Sequence, residues 1–291
     1  MSAGPGAVRA GGGTLRPTAA IVALTVREAL RRKLVAAFLG ITVALVVLSA
    51  WGFDRLSHSR SLSPGEVAAS LPQALVLFMF MFSFVVALSA STISSPAISA
   101  EIESGVLQSL VTRPLHRAQI LFGKWLGLAA VLAAYAAAVC ALEFAVVDAV
   151  SGFTPPDPAG AFGYLLAEGL VLLTVGLVLS TRLSALATGV VAVALFGAAW
   201  LAGVVGALGA DFHVAALREV DSVARYVLPT DGLWHGTIYA LEPRTIVANA
   251  IGHASPFYAS SPPSWPYLVW CGVWVAAALA AALVLFERRE L

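Results

Sequence analysis

The chain has 291 residues, of which 59% are hydrophobic and only 11% are charged, and its mean hydropathy is +0.89. A soluble globular domain carries about 25% charged residues, so this composition excludes that class and indicates that lipid surrounds most of the chain. The formal net charge of +1 gives no indication of nucleic-acid binding. The two cysteines, Cys140 and Cys271, lie within apolar runs, which argues against a disulfide framework or a zinc site.

The N-terminal part of the chain predicts a tail and a surface helix. Residues 1–17 are rich in glycine and alanine and are predicted to form a disordered cytoplasmic tail. In residues 18–33 the apolar and the charged side chains fall on opposite faces of a helix: Ala19, Val22, Ala23, Val26 and Leu30 against Arg27, Glu28, Arg31 and Arg32. This pattern is typical of an amphipathic helix that lies on the inner leaflet. A cytoplasmic extension of the first span is the alternative.

The rest of the chain, 18–291, predicts one all-α integral membrane domain with six transmembrane helices. A spanning helix needs about 20 mostly apolar residues. Four runs without any charge and two runs with a single acidic residue meet this requirement. The predicted spans are about 34–53, 71–100, 125–147, 161–181, 183–210 and 265–286.

The distribution of lysine and arginine predicts the orientation of these spans. With a cytoplasmic N-terminus, 12 of the 17 basic residues lie in cytoplasmic segments and 5 lie outside. Cytoplasmic loops of membrane proteins are enriched in basic residues, so both termini are predicted to be cytoplasmic.

The longest predicted external loop covers residues 211–264. Within it, Leu217, Val220 and Ala224 have helical spacing, and Asp221 and Arg225 form a favourable i,i+4 pair on the opposite face. Prolines divide the residues that follow, and aromatic side chains suit a belt at the outer interface: Tyr226, Trp234, Tyr239, Tyr258, Trp265 and Tyr267. We therefore expect short helices that rest on the outer leaflet.

The segment between the second and third spans is the most informative part of the chain. Gly105 can end a helix, residues 106–112 give about two helical turns, and the residue before Pro114 is forced out of helical geometry. Leu107 and Leu110 belong to an apolar stripe on this short helix, which charged residues flank on both sides. A cytoplasmic helix of this kind is suited to dock into a groove on a partner.

The residues of this segment also resemble a known family. The pattern Glu-x-Glu-x-Gly-x-Leu-x-x-Leu-x-x-Arg-Pro-x-x-Arg, followed by Gly-Lys, is similar to the cytoplasmic loop of type 2 ABC transporter permeases (ABC-2 family), in the branch that includes permeases associated with multi-copper enzyme maturation. In that family the loop is a coupling helix that docks on a separate ATPase subunit. The resemblance assigns ATPase coupling to Glu101, Glu103, Gly105, Leu107, Leu110, Arg113, Pro114 and Arg117. Without it, the same charges suit an ordinary cytoplasmic connector.

No catalytic or nucleotide-binding motif is visible in the sequence. A phosphate-binding loop needs a glycine, four further residues, then Gly-Lys and Ser or Thr. Around Gly123-Lys124 the position of the first glycine is occupied by Ala118, and the position of the Ser or Thr is occupied by Trp125. The five histidines lack the spacing of metal ligands. The chain is therefore predicted to be no enzyme and to bind no cofactor, and ATP is expected on the partner.

Two acidic residues lie inside predicted spans. Glu143 and Glu168 both fall in the outer halves of antiparallel spans, and an intramembrane carboxylate is costly unless it faces the bundle interior, water or a partner. One interpretation places them on a translocation pathway. The other is that they only help the helices to pack.

Together these features predict the permease subunit of an ABC transporter in the cell membrane of a bacterium, with export as the direction that the resemblance implies. The expected partners are two copies of an ABC ATPase, a second permease subunit (identical or different) and the lipid bilayer. A secondary transporter driven by ions through Glu143 and Glu168 is one alternative. A non-transporting membrane scaffold or enzyme is another.

Overall fold

The structure, a computed structural model, describes residues 15–103, 116–242 and 257–288, and every regular element in these ranges is an α-helix. In chain order the helices are α1 (Leu15–Leu30), α2 (Lys33–Ser57), α3 (Pro64–Ser94), α4 (Pro96–Glu103), α5 (Arg117–Ser151), α6 (Pro158–Ser180), α7 (Ala185–Asp211), α8 (Ala215–Val227), α9 (Thr230–Leu241) and α10 (Trp265–Glu287). Residues 1–14 of the predicted tail 1–17 lie outside the described residues, and the prediction is wrong for residues 15–17, which form the first turn of α1.

Six of the helices are long and apolar enough to cross a membrane: α2, α3 continued by α4, α5, α6, α7 and α10. They correspond to the six predicted spans, so the all-α membrane architecture is confirmed. Local sequence explains where several of them begin. Ser63 and Glu66 form a reciprocal capping box before α3, and the carboxylate of Asp157 accepts a hydrogen bond from the Gly160 N–H (2.8 Å) at the start of α6.

Two of the spans are much longer than one crossing of the bilayer requires. Helix α5 has 35 residues, which at 1.5 Å per residue is about 50 Å, and the hydrocarbon core is about 30 Å thick. The second span covers Pro64–Ala100, with a turn at Ser95 between α3 and α4. Helix α5 ends at Gly152, whose φ of 70° is the left-handed conformation that glycine adopts without strain.

The spans differ greatly in burial. Helices α3 and α6 form the centre of the bundle, whereas α2 and α10 expose most of their surface, as do large parts of α5 and α7. Both ends of the described chain lie at one end of the bundle, because α1 and the last turn of α10 each contact the beginning of α5. The placement of the two termini in the cytoplasm stays a prediction.

Helix α1 is a separate element with its own docking site. The chain leaves helical geometry at Arg32 (φ −73°, ψ 131°), so α1 is not a continuous extension of the first span. Its buried residues are Thr25 and Ala29, whereas Leu30, on the predicted apolar face, is 60% exposed. Helix α1 therefore packs along α5 through a different set of residues, and the contact of its apolar face with the inner leaflet stays a prediction.

The prediction that the external segment rests on the outer leaflet is wrong for α9. Almost every side chain of this helix is buried, and Trp234, expected in the interfacial belt, is only 2% exposed. Its ring lies 5.4 Å from that of Phe80 in α3, inside an aromatic cluster that also includes Trp200 and Phe257. Aromatic pairs at such distances stabilise the packing beyond the area they bury. Helix α9 therefore belongs to the bundle, and α8 covers the end of α7.

Candidate coupling and translocation sites

The predicted coupling residues are only partly within the described chain. Glu101 and Glu103 belong to α4, and Arg117 is the first residue of α5. Gly105, Leu107, Leu110, Arg113 and Pro114 lie outside the described residues, as does the predicted short helix at 106–112. Their role in ATPase coupling stays a prediction, but the anchors of the segment on both sides are visible.

Arg117 joins the start of α5 to the end of α10. Its Nη1 atom donates to the carbonyl oxygens of Phe286 (2.7 Å) and Glu287 (3.0 Å), and its Cζ atom lies 5.5 Å from the centroid of the Phe286 ring. These carbonyls belong to the last turn of α10, where helix geometry leaves backbone acceptors without an intrahelical partner and where a positive charge is favourable. The contact ties the predicted coupling segment to the sixth span.

Lys124 makes a second connection two turns further along α5. Its side chain is 7% exposed, and its Nζ atom donates to the carbonyl oxygen of Ala97 in α4 at 2.7 Å. Because α4 precedes the coupling segment in the chain and α5 follows it, this bond holds the two ends of the segment together. Sequence reasoning assigned Lys124 only to topology and to the family pattern, since nothing in the sequence indicates that its ammonium group is buried.

Two glycines of α5 form the seat for α1. A Cβ atom at Gly123 would lie 2.8 Å from Cγ2 of Ile21, and one at Gly127 would lie 2.8 Å from Cβ of Thr25. Small residues four positions apart let helices approach closely. The Gly-x-x-x-Gly spacing was the signal that could have predicted this contact from the sequence.

Glu143 and Glu168 are both buried, each beside a serine of another helix. Glu143 Oε1 accepts a hydrogen bond from Ser49 of α2, and Glu168 Oε1 accepts one from Ser83 of α3 at 2.9 Å. The second carboxylate oxygen of each has no hydrogen-bond partner among the described residues. Neither residue lines the cavities described below. This arrangement favours the packing interpretation, and the translocation pathway stays a prediction.

The largest described cavity opens at the end of the bundle that is predicted to be external. It has a volume of about 670 Å³ and lies between α7, α8, α9 and the start of α10. Its wall carries charged side chains from α8 and α9, tyrosines and a run of serine and proline: Arg218, Asp221, Arg225, His235, Tyr226, Tyr258, Tyr267 and 260–264. Sequence reasoning placed some of these residues on an outer surface but did not predict that they enclose a cavity.

An ionic cluster joins α8 to α9 beside this cavity. Arg225 Nε donates to Asp221 Oδ1 (2.8 Å), which confirms the predicted i,i+4 pair, and also to Asp231 Oδ2 (3.1 Å) in α9. His235 Nδ1 lies 3.3 Å from the same Asp231 oxygen. Gly203 and Gly206 of α7 make room for the two aspartates, since a Cβ atom at either glycine would collide with a carboxylate.

Burial and charge set the protonation of this region. Burial lowers the pKa of His235, but the hydrogen bonds and the charge of Asp231 outweigh it and raise that pKa above its ordinary value. Burial raises the pKa of Asp221, against the opposing effect of Arg225. At the end of α9, burial raises the pKa of Glu242 to about 7. The pKa values of His235, Asp221 and Glu242 are therefore all higher than the ordinary values of these groups.

Comparison with known proteins shows which family the chain resembles. Residues 19–291 match the ABC-2 family transporter proteins. The chain is also 30% identical over 246 residues to a protein of Pseudomonas aeruginosa described as a probable ABC transporter permease protein NosY. That match covers 78% of this chain and 84% of the relative.

Proposed function

The chain belongs to the ABC-2 transporter family as a multi-pass permease of the cell membrane, and we propose that it forms the transmembrane half of an ABC exporter. In this proposal two copies of a separate ATPase act on a pair of permease subunits. ATP binds only to the ATPase. The segment between the second and third spans docks on the ATPase and moves with it. Family membership supports the permease role, and the direction of transport and the docking segment are the parts that experiment must test.

The observation that carries the docking proposal is the way in which the coupling segment is anchored. The Lys124–Ala97 bond holds its two flanking helices together, and Arg117 connects it to the last turn of α10. A force applied to residues 104–115 would thus reach the second, third and sixth spans directly.

The mechanism that follows is a difference in binding between two states. The ATPase pair closes when it binds ATP, and the coupling segments of both permeases move with it. The bundles then change the side from which their shared pathway is open, because the ATPase binds one arrangement more tightly than the other. The external cavity next to α8 and α9 lies at the opposite end from the anchors, where substrate would leave.

The test asks whether an ATPase binds through the coupling segment. The full chain is immobilised in detergent, and retention of the ABC ATPase from its own host membrane is measured. Replacing Leu107 and Leu110 together by serine should release the ATPase, since loss of a buried interface anchor commonly costs about 1–4 kcal/mol. ATP-dependent export into inverted vesicles should fall in parallel.

A matched control lies where α6 connects to α7, on the same predicted side of the membrane. Leu183 and Leu186 have the same three-residue spacing, and Leu186 is 81% exposed, so their joint replacement by serine should leave the ATPase bound. Size-exclusion chromatography checks that both variants fold. If the Leu107/Leu110 variant retained the ATPase and exported fully, residues 104–115 would be an ordinary connector and the docking proposal would be refuted. Import in place of export would refute the proposed direction alone.

A further inference from the structure

A lateral apolar groove opens between α1, α2 and α5 and has a volume of about 300 Å³. Val26 and Leu30 of α1 form one wall, Val35 and Phe38 of α2 form the other, and exposed alanines of α5, among them Ala134, form the floor. Almost all of its lining is carbon. Because the first span begins at Lys33, the groove lies beside the membrane boundary, where hydrocarbon chains are available.

A basic segment borders this groove. Leu30 and Val35 both line it, so the chain that joins them, Arg31 to Leu34, passes along its edge. Arg32 is paired with Glu28 (2.6 Å), whereas Arg31 and Lys33 are exposed and make no ion pair with any described residue. No acidic side chain occupies the first turn of α2. Arg31 and Lys33 therefore give the rim a positive charge that no described acidic side chain neutralises.

We propose that this groove binds an anionic phospholipid of the bilayer, with one acyl chain over Ala134 and the phosphate beside Arg31 and Lys33. An apolar channel with a basic rim is complementary to a molecule that has a long hydrocarbon chain and a negative headgroup. A zwitterionic lipid would fill the channel but gain less from the rim. The bound lipid would hold α1 and α2 at their observed angle, since it contacts both helices.

The test uses the full chain in nanodiscs that contain phosphatidylglycerol and phosphatidylcholine with identical acyl chains. After extraction into detergent, native mass spectrometry counts the lipid that remains bound. The native chain should retain one phosphatidylglycerol in preference to phosphatidylcholine. Neutralising Arg31 and Lys33 with glutamine should reduce that preference roughly thirtyfold at low ionic strength, because each of the two basic residues near an anionic lipid contributes about 1 kcal/mol.

A pair of variants on α5 separates the groove from ordinary lipid contact. Ala134→Phe fills the floor of the groove and should abolish the retained lipid. Ala137→Phe adds the same bulk at an exposed position that does not line the groove and should leave the lipid bound. Equal retention in the two variants, equal retention of the two lipids by the native chain, or occupation of the groove by a second copy of the chain in cysteine cross-linking at Leu30 would overturn the proposal.

Discussion

At the scale of single residues, polar side chains hold this apolar bundle together. Arg117 binds the carbonyls that end α10, Lys124 binds a carbonyl of α4, and Arg225 bridges two aspartates on neighbouring helices. Each cation uses its donors on acceptors that the bundle would otherwise leave buried. Their removal should therefore disturb helix positions more than the loss of one surface charge suggests.

Arg117 provides the clearest residue-scale prediction. Arg117→Gln should lower the free energy of unfolding by about 1–2 kcal/mol, because charge-assisted bonds to the end of α10 are lost and the site is partly exposed to solvent. Arg117→Lys should restore only part of the stability, since an ammonium group does not match the planar contact with Phe286. Thermal unfolding in detergent measures both variants. Native stability in Arg117→Gln would show that the contact has no structural role.

The His235 cluster predicts a pH dependence of α8 and α9. His235 faces Asp231 on its own helix and Arg225 and Asp221 on α8, and its pKa is raised in the folded protein. A raised pKa means that the stabilising contribution is complete below the ordinary value, about 6.5, and is lost as pH rises through the folded value. The protection factors of the α8 and α9 amides against hydrogen exchange, which correct for the intrinsic rise of exchange with pH, should therefore fall above neutral pH.

Two variants identify the group responsible for this change. His235→Gln should flatten most of the pH response. Glu242, whose pKa is raised to about 7, loses its stabilising contribution as pH rises from 4.5 to about 7, so Glu242→Gln should remove a separate part of the response below neutral pH. An unchanged pH profile in His235→Gln would contradict the role of the cluster.

At the scale of helices, the seat of α1 on α5 gives a matched pair of glycine variants. Gly127→Ala should weaken docking of α1 by about 1–3 kcal/mol, because the added Cβ atom would lie 2.8 Å from Thr25 Cβ. Gly40→Ala, in the first span, has nothing within 4 Å of the new atom and should be neutral or slightly stabilising. Faster trypsin cleavage at Arg27 in Gly127→Ala alone is the expected result, and equal cleavage rates would refute the close contact.

The same helices show what the sequence can and cannot predict. The six spans follow from the length and hydropathy of their runs, and the Asp221–Arg225 pair follows from helical spacing alone. Burial of α9 could not be predicted, because Thr230, Asp231 and Thr237 make it resemble an exposed helix until α3, α6 and α7 enclose it. The buried face of α1 depends on Gly123 and Gly127, which lie about a hundred residues away in the sequence.

At the scale of the whole molecule, the first prediction concerns orientation. The structure places the beginning of α1, the coupling anchors and the end of α10 together, and the distribution of basic residues assigns that end to the cytoplasm. A cysteine at Ser2 or Glu290 should resist an impermeant thiol reagent in intact cells. One at Thr154, an exposed residue of the opposite loop, should react. Labelling of either terminus from outside would reverse the topology.

The central claim is that ATP bound by a separate ATPase rearranges this bundle through residues 104–115. Spin labels at Ser222 and Ser260, which are exposed on the wall of the external cavity, report its width once Cys140 and Cys271 are replaced by alanine. The distance distribution should shift when ATP is added to the permease–ATPase complex and should stay fixed for the permease alone. The Leu107/Leu110 serine variant should show no shift under any condition. A shift in the isolated permease, or an ATP-dependent shift that persists in that variant, would contradict the account.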